Sequence, residues 1–366
     1  MMVYNIDGNG GVVNLKRRES VYILAGLWYS EGDKEGANGM SREKVYRALA
    51  AREGEFLSGE SLSASLGITR AAVWKAVEQL RRGGAPIEAR TGLGYRLGPE
   101  DRLESETVAA YLSAPIENLR FAGQVDSTNS ECRRLAEQGA PDGTVVIAES
   151  QTAGRGRRGR SFSSPSGMGL YLSVLWRPDC GAERLLPLTA LVAVAVCRAV
   201  ERCGGVSPRI KWPNDLVLSG KKVCGILTEM TLEGETGSVE SVVVGVGINC
   251  RQREKDFPPE LRDVAISLDM AQENRIGRAE LAAALLEELR FLRREILYHP
   301  QRWLEEYRRR ALQLCQPVEI LRNGETLRAD VLAVDGQFGL TVRFQDGTVE
   351  TLRAGEISVR GVNGYV

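Results

Sequence analysis

Gly154-Arg155-Gly156-Arg157-Arg158-Gly159-Arg160 sets four guanidinium groups and three glycines in seven consecutive residues. Such a stretch has no place in a hydrophobic core. Glycine lets the backbone come close to a ligand, while arginine offers forked donors to phosphate or carboxylate. The stretch follows a strand pattern, Thr144 to Glu149, and its spacing formally matches G-x-G-x-x-G. However, Ser161 to Gly169 contains Pro165 and two glycines, so no helix follows as a dinucleotide-binding unit requires. A Walker loop is excluded as well, because Gly220-Lys221-Lys222 lacks both ends of that motif. Charges this close repel one another, which predicts a mobile segment until an anion arrives. The plain alternative is a solvated basic loop.

Around this loop the chain alternates strands and helices over residues 100–313. Gly169 to Leu175, Lys222 to Met230 and Val242 to Gly247 read as buried strands. Glu131 to Gln138, Leu185 to Arg202 and Arg278 to Arg309 read as helices. Four polar clusters punctuate them. Asp126-Ser127-Thr128-Asn129 precedes a helix and resembles a cap. Lys211-Trp212-Pro213-Asn214-Asp215 is a polar group in strand context. Lys222-Val223-Cys224-Gly225-Ile226-Leu227 puts a lysine at the entry to a buried strand, either as a surface charge or facing an anion. Val244 to Asn249 ends a strand with glycines and a lone amide. Taken singly, each has an ordinary structural explanation.

Composition narrows the chemistry. The 366 residues carry 48 Lys+Arg against 48 Asp+Glu, 43% hydrophobic residues, seven cysteines and one histidine. That length suggests two or three domains, and the apolar content excludes wholesale disorder. A single imidazole excludes multi-histidine zinc sites, and any Ser-His-Asp chemistry would have to use His299. The odd cysteine count without C-x-x-C fits a reducing cytoplasmic setting better than a disulfide framework. No membrane segment is visible; Leu185 to Val196 is apolar but too short to span a bilayer.

The flanks have their own patterns. Residues 1–39 are glycine-rich and read as a disordered leader or a misannotated start, with translation expected from Met40. Residues 40–99 show helix, turn, helix and hairpin. Thr69 has the position of an N-cap, and Arg70 to Arg82 follows with Ala72, Val73, Ala76, Val77 and Leu80 on one side. The opposite side exposes Arg70, Trp74, Lys75 and Gln79, and Arg90 to Gly94 would form a wing between two short strands. Residues 41–99 hold ten Lys/Arg and six Asp/Glu, an excess of +4 that suits phosphate contacts. Thr69, Arg70, Trp74, Lys75 and Gln79 are therefore the candidate DNA-contacting residues of a winged helix-turn-helix. Residues 314–366 read as five short strands with turns at Asp335-Gly336 and Asp346-Gly347, a small barrel of SH3-like type. The fold class is thus α+β and multidomain: winged helix-turn-helix, central mixed α/β catalytic domain, C-terminal SH3-like β-barrel.

Taken together and in order, Asp126 to Asn129, the arginine loop, K-W-P-N-D at 211–215, Lys222 to Leu227 and Gly245 to Asn249 resemble the biotin protein ligases. The resemblance runs from about Met40 to the C-terminus, and the flanking domains resemble those of the bifunctional ligase and biotin-operon repressors. It implies formation of biotinyl-5′-adenylate and pyrophosphate from biotin and ATP, then acyl transfer to a lysine of a biotin carboxyl carrier protein domain. By position, Ser127, Thr128, Asn129, Gln151, Arg155, Gly156, Arg157 and Lys222 would form the biotin site, with Lys222 and Arg157 catalytic. Arg157, Arg158, Arg160, Asn214, Asp215 and Asn249 would serve ATP phosphates, and Asp215 is the candidate Mg²⁺ ligand. The resemblance also implies operator DNA and an adenylate-bound homodimer as partners. Two departures stand out: the leader has no counterpart, and Phe162 stands where tryptophan is usual. A pure regulator that senses biotin or a related acid without catalysis, and a ligase for lipoate or octanoate, are the alternatives.

Overall fold

The computed structural model describes residues 37–52, 54–82, 85, 87–98, 103–234, 238–272, 275–296, 298–322, 324–353 and 358–361. The expected leader therefore lies outside the described residues, except that Ala37 to Gly39 open the first helix, α1 (Ala37–Ala50). The chain divides into two compact units, Met1–Asp101 and Arg102–Val366.

In the first unit α1 is followed by α2 (Gly59–Leu66) and α3 (Arg70–Arg82). Ser58 caps α2 by accepting from Ser61 N, and Gly67 ends it at φ 64°. That left-handed conformation is one a side chain would disfavour, so glycine makes the turn tight. Thr69 Oγ1 accepts from Ala72 N at 3.1 Å, the expected cap of α3. Val73, Ala76, Val77 and Leu80 of α3 are buried with Val45, Leu49 and Leu62. A two-stranded antiparallel ribbon, β1 (Ile87–Arg90) and β2 (Gly94–Leu97), completes the unit. It is a helix-turn-helix with a wing.

The second unit is built on a seven-stranded mixed sheet. Its strands are β3 (Leu119–Ala122), β4 (Val145–Ala148), β5 (Gly169–Trp176), β6 (Arg209–Lys211), β7 (Asp215–Leu218), β8 (Lys221–Leu232) and β9 (Val239–Asn249), in the spatial order β3-β4-β5-β9-β8-β7-β6. Only β3 and β4 pair in parallel among the strands of this sheet. Strand alternation assigns each face. Ile147, Leu172, Val174, Val242 and Val244 join a large core with α4 (Ser105–Tyr111), α6 (Leu188–Gly204) and α7 (Arg278–Glu295). Val146, Leu175 and Val243 instead pack under α5 (Thr128–Glu137). The single helix expected over Arg278 to Arg309 is two helices, α7 and α8 (Gln301–Arg310), with Pro300 at the N-cap of the second. Proline lacks the N–H and crowds the preceding turn, so one continuous helix is not available there. Three short strands, β3, β6 and β7, escape the sequence reading because each offers only three or four residues of pattern.

The C-terminal strands β10 (Pro317–Arg322), β11 (Glu325–Val334), β12 (Leu340–Phe344), β13 (Val349–Leu352) and β14 (Ser358–Gly361) form an antiparallel sheet in the order β13-β12-β11-β10-β14. The edge strands β13 and β14 are not paired with each other among the described residues, so closure into a barrel is not seen. Val318, Ile320, Val331 and Leu340 share one continuous core with α6, α7 and the larger sheet. The expected boundary after residue 313 thus separates two sheets but not two cores.

Candidate active site

The pocket face of the large sheet is defined by glycine. Gly225 of β8 lies opposite Gly247 of β9, and Leu227 lies opposite Gly245. A Cβ at Gly245 would come within 1.8 Å of Asn129 Oδ1, and one at Gly247 would meet the Phe162 ring at 2.7 Å. These glycines leave the space in which a cavity of 680 Å³ opens. That volume accommodates a ligand of small-molecule size.

Ser127, Thr128, Asn129, Gln151, Arg155, Gly156, Arg157, Arg158, Arg160, Asn214, Asp215, Lys222 and Asn249 all line this one cavity. Residues singled out from five separate stretches of sequence are therefore brought together. Ser127 occupies the N-cap position of α5, yet its side chain makes no capping hydrogen bond. Thr128 N donates to Gln151 Oε1 at 2.8 Å, and Gln151 Nε2 donates to Ser164 Oγ at 2.7 Å. Gln151 thereby ties the start of α5 to the far end of the arginine loop. Asn129 is buried, with Nδ2 donating to Glu229 Oε2 at 2.9 Å and Oδ1 lying 2.7 Å from Ser173 Oγ.

The arginine loop is held at several points. Gly154 packs so closely that a Cβ would sit 2.3 Å from Phe162 O. Gly156 N donates to Arg160 O at 2.7 Å, and Arg158 takes a positive φ of 58°. Arg155 pairs with Glu229 at 2.9 Å, while Arg157 Nη1 donates to Asn214 Oδ1 at 3.0 Å. Burial lowers the pKa of Arg157 from the ordinary arginine value; Asp215 opposes this, and Arg158 and Arg160 add to it. The guanidinium stays charged at neutral pH, and its desolvation makes an incoming anion a strong partner. Arg158 and Arg160 are exposed at the rim.

K-W-P-N-D occupies the turn between β6 and β7. Asn214 Nδ2 donates to Ile226 O at 3.0 Å, and Asp215 Oδ1 forms an ion pair with Lys222 Nζ, 2.7 Å away. Trp212 is fastened from its other side: its backbone N donates to Gln313 Oε1 at 2.9 Å and its indole Nε1 to Phe338 O at 3.0 Å. The C-terminal sheet also supplies Glu319, Val359 and Gly361 to the wall. Asn249 Nδ2 donates to Ile266 O at 3.1 Å.

Two parts of the site went unnoticed in the sequence. Phe257, Leu261, Val264 and Ala265 form an apolar wall, joined to Lys222 by Lys222 N to Val264 O at 2.7 Å and Ile266 N to Lys222 O at 2.9 Å. Apolar residues spaced among charges in Arg253 to Ala265 were the available signal. Glu229 and Ser173 sit just behind the lining, and their strand patterns alone gave no hint. His299, by contrast, is exposed between α7 and α8 and does not line the cavity. Burial pushes the thiols of Cys132, Cys197 and Cys203 up to about 12 and raises that of Cys224; such thiols are not poised nucleophiles.

Residues 121–249 match the model of the biotin/lipoate A/B protein ligase family, and residues 41–96 match that of an HTH domain. The chain is 34% identical over 322 residues to the bifunctional ligase/repressor BirA of Escherichia coli, covering 84% of this chain and 94% of that one. The chain belongs to the biotin protein ligase family. The bifunctional ligase/repressor BirA of Bacillus spizizenii is 40% identical over 248 residues, covering 67% of this chain and 76% of that protein. Among solved structures, the ligase from Aquifex aeolicus in complex with biotin and ATP aligns with a TM-score of 0.57 at 28% identity, covering 67% of this chain and 99% of that one. The helix-turn-helix places this ligase among those with an N-terminal DNA-binding unit. Arg70, Trp74 and Lys75 are exposed on α3, Trp74 at 59%, and Gln79 is half-buried.

Proposed function

We propose that this chain activates biotin with ATP to biotinyl-5′-adenylate and passes the acyl group to a lysine of a biotin carboxyl carrier protein domain. It also represses transcription through its winged unit. The single observation that carries this reading is the convergence of Thr128, Gln151, Arg157, Asp215 and Lys222 on one cavity in a chain similar to proteins named bifunctional ligase/repressor.

The residues divide by chemistry. The hydroxyl and amide groups of Ser127, Thr128, Asn129 and Gln151, over glycine-floored strands, suit a ureido ring that needs a few directed polar partners. Lys222 and Arg157 provide the cations for the biotin carboxylate and the α-phosphate. The carboxylate oxygen attacks the α-phosphorus, the α–β phosphoanhydride bond breaks, and pyrophosphate leaves with the electron pair. The acceptor amine then attacks the mixed anhydride, expelling AMP and losing a proton. No protein nucleophile is consumed, so catalysis consists of positioning and charge stabilisation. Asp215 fixes the Lys222 ammonium at 2.7 Å, and Arg158 and Arg160 meet the phosphates at the rim.

No group of three or more His, Cys, Asp or Glu able to hold a metal ion occurs among the described residues, and Asp215 already faces Lys222. Asp215 would be the protein ligand of a Mg²⁺ that arrives on the triphosphate, since one or two carboxylates plus substrate phosphates commonly suffice for this ion. Mg²⁺ belongs with the triphosphate as part of the nucleotide substrate, which is its usual mode of binding.

Arg70, Trp74, Lys75 and Gln79 would contact operator DNA, with Thr69 capping the helix that carries them. The adenylate-bound form would be a homodimer presenting two such helices to paired half-sites. Sedimentation with and without adenylate tests this, and an unchanged association constant contradicts it. The C-terminal sheet reads as a small SH3-like fold lending one wall to the site. No helix among the described residues is long and apolar enough to cross a membrane.

Transfer of labelled biotin to a carrier domain in the presence of ATP tests the ligase reading. Competition by unlabelled biotin but not lipoate is expected. Equal competition by lipoate would favour the related acyl ligases, and no transfer with intact biotin binding would favour a pure sensor.

A further inference from the structure

Behind the lining of the cavity, Glu229 on β8 faces two of its residues at once. It lies two positions beyond Leu227 and four beyond Gly225, so strand alternation puts its side chain on the pocket face. Its carboxylate accepts from Asn129 Nδ2 at 2.9 Å and from Arg155 Nη1 at 3.3 Å, and its second oxygen lies 2.9 Å from Arg155 Nη2. One acidic group thereby joins the first turn of α5 to the first arginine of the loop.

This pairing has a direction. A carboxylate only accepts, and Leu227 O accepts from the same Nδ2 at 3.3 Å, so Asn129 turns its NH₂ toward Glu229 and its carbonyl toward Ser173. Ser173 Oγ is 2.7 Å from that carbonyl and 2.8 Å from Thr128 Oγ1. The Thr128 hydroxyl donates to Gln151 Oε1 at 3.2 Å, so the Ser173 proton is shared between Asn129 Oδ1 and Thr128 Oγ1, and the Thr128 oxygen keeps a lone pair for an N–H of the ligand. Asn129 Oδ1 occupies the space that a Cβ at Gly245 would need, 1.8 Å from it, so glycine at 245 is what admits the amide in this position.

We propose that Glu229 is a positioning residue for biotin: with Leu227 O it holds the Asn129 amide in the orientation that accepts from Ser173, and it tethers the arginine loop through Arg155. This rests on the reading of the cavity as a biotin-activating site. Preorganised polar groups bind without the cost of ordering them when the ligand arrives. The energy involved is realised on binding biotin and not in the bond-making step, so KM for biotin moves and kcat does not.

The test measures steady-state adenylation and trypsin nicking on the full-length chain. Glu229→Gln keeps an acceptor for Asn129 but loses the ion pair, which is partly exposed, and KM for biotin should rise about threefold. Glu229→Ala loses both partners, and KM should rise about thirtyfold with kcat within about twofold. KM for ATP should rise less than KM for biotin in both, because loosening the loop reaches Arg158 and Arg160 only indirectly; a general collapse of the pocket would raise the two together. Trypsin cleavage mapped to Arg155–Arg160 should accelerate about tenfold in Glu229→Ala, because local opening sets the rate of nicking. A biotin KM within twofold of wild type in Glu229→Ala, or an ATP KM rising in parallel, overturns the assignment. Unchanged nicking overturns the tether. Should the unaltered chain turn over no biotin, the functional reading fails, and the nicking comparison still decides whether Glu229 holds the loop.

Discussion

Two of the chain's concentrations of positive charge, the α3 surface and the arginine loop, are built in opposite ways. On α3 the cations ride a regular helix whose other side is buried by Val73, Ala76, Val77 and Leu80. Arg70 and Lys75 are thereby spaced by helical geometry and exposed. In the arginine loop no regular element sets the spacing. Glycines and a positive φ at Arg158 bend the backbone, and individual side chains are assigned by partners: Arg155 to Glu229, Arg157 to Asn214. A rigid, outward-facing row suits a long polyanion that is met from outside. A bent loop with sorted guanidinium groups suits a small anion that must be enclosed. Positive charge alone does not distinguish the two functions; the backbone that carries it does.

Substitutions can break this contrast, and the largest effect is expected where charge touches the reacting atoms. Lys222→Ala should reduce biotin-dependent pyrophosphate formation by about 10²–10³-fold, with little change in thermal unfolding midpoint; a rate near wild type would remove Lys222 from the charged site. Replacing Arg70 and Lys75 together by alanine should weaken operator binding by roughly a hundredfold and flatten its salt dependence by about two contacts. Ligation should be unaffected, and a parallel loss of ligation in that variant would contradict the separation of the two cationic regions. Arg157→Ala should raise KM for biotin or ATP by about thirtyfold, as expected for one charge-assisted contact in a desolvated setting. Gly245→Ala sharpens the contrast from the other side, because it adds no charge at all. Its methyl group would collide with Asn129, and a rise in biotin KM of about tenfold is expected from the displaced amide; unchanged binding would show that the amide has room to move.

Much of this was legible in the sequence where the residue pattern itself is the constraint. The helix Arg70–Arg82 appears with its Thr69 cap because a helical face of apolar residues has few other uses. The polar clusters at 126–129, 154–160, 211–215 and 222–227 were legible through their order along the chain, since each taken singly has an ordinary structural explanation. What was illegible depends on pairing between distant segments. The break at Pro300 turns one expected helix into two. Strands β6 and β7 are too short to show alternation and exist by pairing with each other around Trp212-Pro213-Asn214. Glu229 looks like any polar residue near the end of a strand until Asn129 and Arg155 are placed against it. The wall from Phe257 to Ala265 becomes part of the site only through its backbone bonds to Lys222.

Under the proposed function the sorted, enclosed cations activate a carboxylate, and the helical row takes no part. Release of pyrophosphate from ATP by the purified chain, measured with and without biotin and without DNA, tests it most directly. Release should depend on biotin, be lost in Lys222→Ala and persist in the Arg70/Lys75 double variant. Absence of biotin-dependent release from a folded chain that binds biotin would contradict it.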